Sequence, residues 1–314
     1  MTRWKIWEYQ LPLHHVLPAS GEQNAIRSGY LIQRSINGHT SLTELAPLES
    51  YHGVTKLQCL EEFIRYMRNP ATEEERHSVT QLAIDLLDPQ PVQAKSISCN
   101  ALVDLRQNPD PLQFLETRCV KIKMGRRALD IEIRDLLVFL QKLPSHIKIR
   151  IDANRQWGVD ELIACADSLS KHRLDYFEEP LNNPMHYINL SNIPIALDES
   201  MQHKEVHHLL GLPNVVAAVI KPSVLGGLNH TQVLLTNLQE NKIRAILSST
   251  FESSLTLWAF GGLANSNFTH GLGTLNWFTH PLFKDSLKYN STSLQLTSSP
   301  PKQPMNHCLK EIQI

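Results

Sequence analysis

The sequence has no apolar run approaching the roughly 20 residues needed to cross a bilayer. Its opening, Met-Thr-Arg-Trp-Lys-Ile-Trp-Glu, is broken by polar residues and lacks the apolar centre of a secretory signal. Cysteine is sparse: five residues, an odd number, widely spaced and without a Cys-x-x-Cys pair. Reduced thiols and a cytoplasmic setting are therefore expected, and a disulfide framework is not. Without a secretory signal, the N-x-S/T triplets beginning at Asn189, Asn229, Asn267 and Asn290 carry no weight. Charge of one sign is also missing, since 30 Lys and Arg face 31 Asp and Glu, for a net charge of -1. That balance argues against a nucleic-acid platform and against attachment to an acidic membrane surface.

Several motifs are absent as well. No G-x-G-x-x-G or G-x-x-x-x-G-K-[ST] marks a nucleotide site. His203 and His207 have the spacing of a zinc protease pair, but Lys204 stands where that motif needs Glu, so exposed histidines are expected. Ser249 and Ser253 lack His and Asp partners in a recognisable context. Gly226-Gly227 reads as a tight turn rather than a phosphate cradle.

What is present is ample core material, 42% hydrophobic residues in 314, enough for one large domain or two moderate ones. The first part reads as a small α+β unit. A strand is expected around Trp4 and Ile6, and Asn37-Gly38 is a hairpin turn between two further strands. Two helices follow: 55–67, with Leu57, Leu60, Ile64 and Met67 at helical spacing, and 73–87.

From residue 96 the texture changes to short apolar runs: 96–99, 119–123, 147–152, 176–178, 195–198, 217–221 and 245–248. Most intervals leave room for a helix. This is a βαβ pattern, and seven repeats favour a (β/α) barrel over an open doubly wound sheet. The polar tail, with Pro300, Pro301 and Pro304, ends in an expected strand over 308–314 that runs back onto the first unit.

Several runs end in an ionisable residue: Lys123, Asp152, Glu178, Asp198 and Lys221. In a barrel the carboxyl ends of all strands converge on one mouth, where catalytic residues collect. Three crowded carboxylates repel one another, and burial would force a proton onto one of them. An all-oxygen donor set without Cys or His resolves this by holding a hard cation such as magnesium. Lys121 and Lys123 share a strand face, and Lys221 lies across the barrel. An ammonium near a second ammonium and a metal loses its proton more easily, which suits a general base. The metal would hold a carboxylate and stabilise the enediolate left when its α-proton departs. Taken singly, each piece has a plainer reading: Asp198 as a helix cap, Glu178-Glu179 as a solvated pair, Lys121 as an exposed strand residue. The ordered set as a whole favours a site.

Lys-x-Lys, Asp-x-Asn, Glu-Glu-Pro, Asp-Glu-Ser and Lys-Pro, in this order, resemble the muconate-lactonizing branch of the enolase superfamily. The segments Lys-Ile-Arg-Ile-Asp-Ala-Asn-Arg-Gln-Trp, Phe-Glu-Glu-Pro, Val-Ile-Lys-Pro and Ser-Ser-Thr-Phe-Glu-Ser-Ser are similar to the o-succinylbenzoate synthase family. Residues 43–48, Thr-Glu-Leu-Ala-Pro-Leu, resemble that family's G-E-I-A-P-L segment; the likeness spans residues 40–278.

The resemblance implies a modified (β/α)7β barrel with an α+β capping domain formed by the N-terminal region and the C-terminal tail. Expected boundaries are 1–95 with 286–314 for the cap and 96–285 for the barrel. It also implies dehydration of 2-succinyl-6-hydroxy-2,4-cyclohexadiene-1-carboxylate to o-succinylbenzoate, a menaquinone precursor. Asp152, Glu178 and Asp198 match the magnesium ligands, with manganese as a substitute; Glu178 is chosen over Glu179 because the family uses the first acid. Lys123 matches the acid–base residue, Lys121 its companion, and Lys221 the opposite lysine, with a cation–π role toward the substrate ring. Ser248 and Gly271 match pocket positions, and Arg150 and Asn154 are expected at the substrate. One departure is visible: the family usually reads Gly-Leu-Asp-Thr where this chain has Gly271-Leu272-Gly273-Thr274. The loop over residues 18–23 is expected to help choose the substrate. Partners are a small-molecule carboxylate, with neither nucleic acid nor membrane, and the sequence allows a monomer. The rival readings are an N-acylamino acid racemase or dipeptide epimerase on the same scaffold and, more remotely, a non-catalytic binding barrel.

Overall fold

The computed structural model describes residues 2–17, 25–71, 74–169 and 173–313. The loop over residues 18–23 lies outside the described residues.

Strands β1 (Arg3–Pro12), β2 (Ile26–Ile36) and β3 (His39–Leu45) form an antiparallel meander. The β2–β3 turn is the expected Asn37-Gly38, and both residues have positive φ, 50° and 83°. This is the twist that matches a tight hairpin. Alternation along the strands splits the sheet into two faces. Ile6, Tyr30, Ile32 and Leu45 pack with residues of α2 (Lys56–Arg68) and α3 (Ser78–Asp85), after the single turn α1 (Glu49–His52). Tyr9, Leu11 and Leu31 face the other way and pack against Leu255, Phe278 and Phe283 of the barrel side.

Thr55 caps α2 in a capping box with Gln58. The helix turns Cys59, Leu60 and Phe63 inward, whereas Leu57, expected on the buried face, is 60% exposed. Helix α3 begins at Ser78, later than expected from the pattern over 73–87.

The second unit begins at β4 (Lys95–Ser98) and β5 (Ala101–Asp104). It continues through β6 (Cys119–Lys123), α4 (Leu129–Lys142), β7 (Lys148–Asp152), α5 (Val159–Ser168) and β8 (Leu174–Glu178). Then come β9 (Ile195–Leu197), β10 (Val215–Ile220), α6 (Gly227–Glu240), β11 (Arg244–Leu247) and α7 (Ser254–Leu263). Strands β5 to β11 form one parallel sheet in sequence order. The run 96–99, expected as the first barrel strand, instead pairs antiparallel with a tail strand, and β5 opens the parallel sheet. Parallel bridges Ser248–Gly271 and Cys99–His270 span the remaining gap. The intervals on either side of β9 hold 3-10 turns, Pro184–Asn189, Glu199–Gln202 and Lys204–Gly211, rather than the expected helices.

The tail supplies β12 (Lys288–Tyr289), β13 (Ser293–Leu296) and β14 (Leu309–Ile312). β13 pairs with β4, and β14 returns to the first unit beside β1, as expected. The architecture is thus a modified (β/α) barrel with an α+β cap built from both ends of the chain. Within the barrel two clusters hold the fold: a large shell between strands and outer helices, and a small interior cluster of Tyr176, Ala196, Ala217, Val219 and Ile246. Among the described residues no helix is long and apolar enough to cross a membrane.

Candidate active site

Strand register assembles the mouth. Lys121 and Lys123 are two residues apart on β6 and so share a face. Lys123 stands opposite Asp152 on β7, which stands opposite Glu178 on β8. Asp198 directly follows β9, and Lys221 directly follows β10. Six groups scattered over a hundred residues of sequence thereby meet at the carboxyl ends of five consecutive strands.

The contacts are tight. The Lys121 ammonium donates to Asp152 Oδ2 at 2.7 Å and to Glu178 Oε1. Lys123 donates to the same Asp152 oxygen at 2.6 Å and to Asn154 Oδ1 at 2.8 Å. Lys221 reaches both oxygens of Asp198. Glu179 is turned away from this row. Its carboxylate accepts from the Asp198 and Ser200 amides at 2.7 and 3.0 Å, and from the Ser200 hydroxyl. The first acid of Glu-Glu-Pro therefore faces the mouth while the second fixes the Asp198 loop.

The electrostatics follow from crowding. Burial pushes the Glu178 carboxyl up to about 7; Lys121 opposes this, and the Asp152 and Asp198 charges add to it. Burial also works to raise Asp152, but Lys121 and Lys123 together hold it well below the ordinary carboxylate range. Burial disfavours the Lys121 and Lys221 ammoniums, yet the surrounding carboxylates prevail and hold both above the usual lysine range. A row of carboxylate oxygens, one pushed toward neutrality by burial and then by the adjacent acids, suits a hard divalent cation.

A cavity of about 1110 Å³ opens over the row. Lys121, Lys123, Asn154, Asp198 and Lys221 border it, and Ser248 and Gly271 form part of its wall. A Cβ at residue 271 would sit 2.7 Å from Ser248 Oγ, so the glycine is what lets these two strands approach there. Arg150 does not border the cavity. It shares a face with Asp152 but lies one layer deeper, 3% exposed, donating to Asp175 at 2.9 Å and stacked 4.7 Å from the Tyr176 ring. Arg244 holds the other Asp175 oxygen at 2.6 Å, and this buried group underlies the site. The expected substrate contact by Arg150 is thus corrected: depth, not face, excludes it.

The chain matches the enolase C-terminal domain-like family over residues 113–300, more than half its length. It belongs to that family. The o-succinylbenzoate synthase of Vibrio cholerae serotype O1 is 27% identical over 308 residues, covering 88% of this chain and 91% of the relative. Solved structures share the fold, among them the following two. A dipeptide epimerase from Cytophaga hutchinsonii, complexed with Mg and D-Ala-L-Val, superposes with TM-score 0.82 at 14% identity, covering 99% of this chain and 98% of that one. The N-succinyl Arg/Lys racemase of Bacillus cereus gives 0.80 at 15% identity, covering 100% and 99%. This enolase-family chain is an enzyme.

Two groups of the site escaped sequence reasoning in this enolase-family barrel. Tyr51, from the cap turn α1, lies 5.4 Å by ring centroid from the Lys221 ammonium. Burial, and then the Asp198 charge, push its hydroxyl up to about 12. Nothing in Glu-Ser-Tyr-His points to a barrel site. Glu199, visible in Asp-Glu-Ser but given no role, accepts from the Asn154 side-chain amide at 3.2 Å and borders the cavity. Burial raises its carboxyl.

Proposed function

We propose that this enzyme dehydrates 2-succinyl-6-hydroxy-2,4-cyclohexadiene-1-carboxylate to o-succinylbenzoate, a step toward menaquinone, with magnesium held by Asp152, Glu178 and Asp198. The observation that carries the reading is the row of three carboxylates with Lys123 at one end and Lys221 at the other, beside a single cavity that Asp198 and the lysines line. The Vibrio cholerae relative, matched along most of both chains, supports the choice of reaction. Bound there, the ion supplies positive charge for the substrate carboxylate whose α-carbon is acidified.

The protein's own groups do the rest. Lys123 takes the α-proton as a free amine. The carbon–oxygen bond to the ring hydroxyl then breaks, and the lysine returns a proton so that water leaves and the ring becomes aromatic. Asn154, bonded to Lys123, holds the ammonium in place between these two transfers. Lys221, anchored on Asp198, presents a fixed positive charge from the opposite side, and a planar ring beside it gains a cation–π contact. Ser248 and Gly271 shape the far wall.

A second reading, racemisation of N-acylated amino acids or epimerisation of dipeptides, is favoured by the two opposed lysines and by the two structural neighbours. One experiment separates them. The purified chain is assayed for the aromatic product by absorbance and for loss of optical rotation with N-succinyl amino acids, before and after chelation. Product formation that stops with chelator and returns with magnesium or manganese supports dehydration. Full activity without metal sinks the metal assignment, and optical change without aromatic product sinks the reaction. For the domain division we propose 1–95 with 286–314 as cap and 96–285 as barrel, supported by the β14–β1 pairing; β13 ties the same tail to β4.

A further inference from the structure

A second group of donor atoms lies away from the carboxylate row, where the tail crosses the cap. His280, His307 and Cys308 offer two imidazoles and a thiol whose ligand atoms all lie within 4.8 Å of one another. Cys308 Sγ is 3.7 Å from His280 Nδ1, and the two imidazole rings are 5.5 Å apart between centroids. A tetrahedral ion with sulfur at roughly 2.3 Å and nitrogen at roughly 2.0–2.1 Å sets those donors about 3.6 Å apart, close to the observed spacing. The remaining closure is on the order of 1 Å, which the exposed His307 ring can supply by turning about its side-chain bonds.

Backbone bonds hold the two segments together independently of these side chains. The Thr279 amide bonds Pro12 O at 3.0 Å on the His280 side. Between the two segments Lys284 and Met305 donate to Gln303 and Leu282 carbonyls at 2.8 and 2.9 Å, beside the Phe283–Pro304 bridge. Leu309, next to Cys308, pairs with Tyr9 on β1. Cys308 also differs from the other cysteines: Cys59, Cys99, Cys119 and Cys165 are buried, and it alone is partly exposed.

We propose that His280, His307 and Cys308 bind a borderline-soft divalent ion of the zinc class, with water completing a tetrahedral site that clips the tail to the segment running into the cavity wall at Trp277. The donor set is the reverse of the carboxylate row: nitrogen and sulfur select zinc or cobalt, and carboxylate oxygens select magnesium. Binding exchanges the thiol proton for the metal, so it releases a proton and protects the sulfur.

The test uses the full chain with magnesium in millimolar excess, which keeps oxygen donors from competing, and cobalt(II) as probe. Cobalt bound by the thiolate gives a near-ultraviolet sulfur-to-metal charge-transfer band and the strong visible absorption of a tetrahedral ion. Both should vanish in Cys308→Ser, and His280→Ala should weaken binding more than about tenfold. Zinc should displace the cobalt and slow reaction of the single accessible thiol with a disulfide reagent. Circular dichroism of each variant confirms folding. Absence of the charge-transfer band, or its survival in Cys308→Ser, overturns the proposal and leaves the trio as a thiol–imidazole hydrogen bond.

Discussion

Glu44 of the cap receives both the amide and the hydroxyl of Ser253, at 3.0 and 2.8 Å, at the first turn of barrel helix α7. Thr256 and Tyr9 donate to the same carboxylate, which is 2% exposed. A negative charge at a helix N-terminus is stabilised by the unpaired amides there. From β2, Arg27 reinforces the junction by donating to Phe251 O at 3.0 Å and Pro47 O at 2.8 Å. Thr-Glu-Leu-Ala-Pro-Leu is therefore the segment that docks the cap, and its last residue, Leu48, enters the cavity wall.

Glu44→Gln keeps the shape but turns an amide N–H₂ toward donors. The buried Ser253 and Thr256 groups then lose an acceptor, a cost of about 3 kcal/mol. Denaturant unfolding should show that loss, and Tyr9→Phe should cost much less. Unchanged stability in Glu44→Gln would show that the junction rests on apolar packing alone.

The strand-end residues were legible because a barrel gathers them at one mouth whatever their separation in sequence, and five apolar runs each ended in one. For Arg150 the sequence offers no signal of depth: alternation fixes which face of a strand a side chain takes and says nothing of how far along the barrel it lies. Both Arg150 and Asp152 point inward, but Asp152 ends β7 and pairs with Lys121 and Lys123, which border the cavity, whereas Arg150 lies two residues earlier and pairs with Asp175. The first barrel strand was misplaced because Ser-Ile-Ser-Cys and Ala-Leu-Val-Asp are equally strand-like on either side of Asn100. The closing segment at His270-Gly271 has no apolar run to announce it. The expected lowering belongs to a lysine beside a bound cation; with the carboxylates free to pair with them, Lys121 and Lys221 are instead held above the usual lysine range.

Lys123 and Lys221 should fail in different ways. Losing a positioned acid–base group costs about 10²–10⁴ in rate, and a residue serving as both acid and base should show the upper end. Lys123→Ala should be nearly inactive in single-turnover dehydration yet still bind product by calorimetry. Lys221→Arg retains charge but changes shape and reach, and a large fall in turnover is expected. Near-normal turnover in Lys221→Ala would remove the electrostatic role, and substantial turnover in Lys123→Ala would shift the base to Lys221.

Gly273 stands where the resembled family usually carries Asp, and the structure gives the reason. A Cβ there would overlap the Tyr289 hydroxyl and lie 2.8 Å from its ring carbon Cζ. Tyr289, from β12, thus fills the space beside the cavity that an acid would take. Gly273→Asp should destabilise by about 1–3 kcal/mol through overpacking. Gly273→Asp combined with Tyr289→Ala should recover part of that loss in thermal unfolding. Equal destabilisation by the single and double changes would mean the two positions do not compete for the same space.

His270 should make the fold sensitive to mild acid. Its Nδ1 accepts the Leu247 amide at 3.0 Å, and its Nε2 lies 2.9 Å from Asn265 O, so the neutral ring is the bonded form. Burial holds its pKa down at about 4, against 6.5 for a free histidine. Between these values the unfolded chain binds a proton that the folded chain refuses, so stability rises with pH across this window. Read downward, the contribution is intact above pH 6.5, erodes as pH falls toward 4, and levels off once the folded ring is protonated too. A shift of this size corresponds to about 3 kcal/mol at full effect. His52, whose Nδ1 accepts the Leu48 amide at 2.9 Å, is depressed to about 4 by burial as well and acts in the same direction. Carboxylates titrate in the same range, so the decisive quantity is a difference. Unfolding free energies of the chain and of His270→Gln, which can supply one acceptor and one donor without titrating, are compared from pH 7 to pH 4. The variant should lose less stability than the parent on acidification. Parallel pH curves for the two proteins would mean that His270 accepts its proton in the folded state without cost.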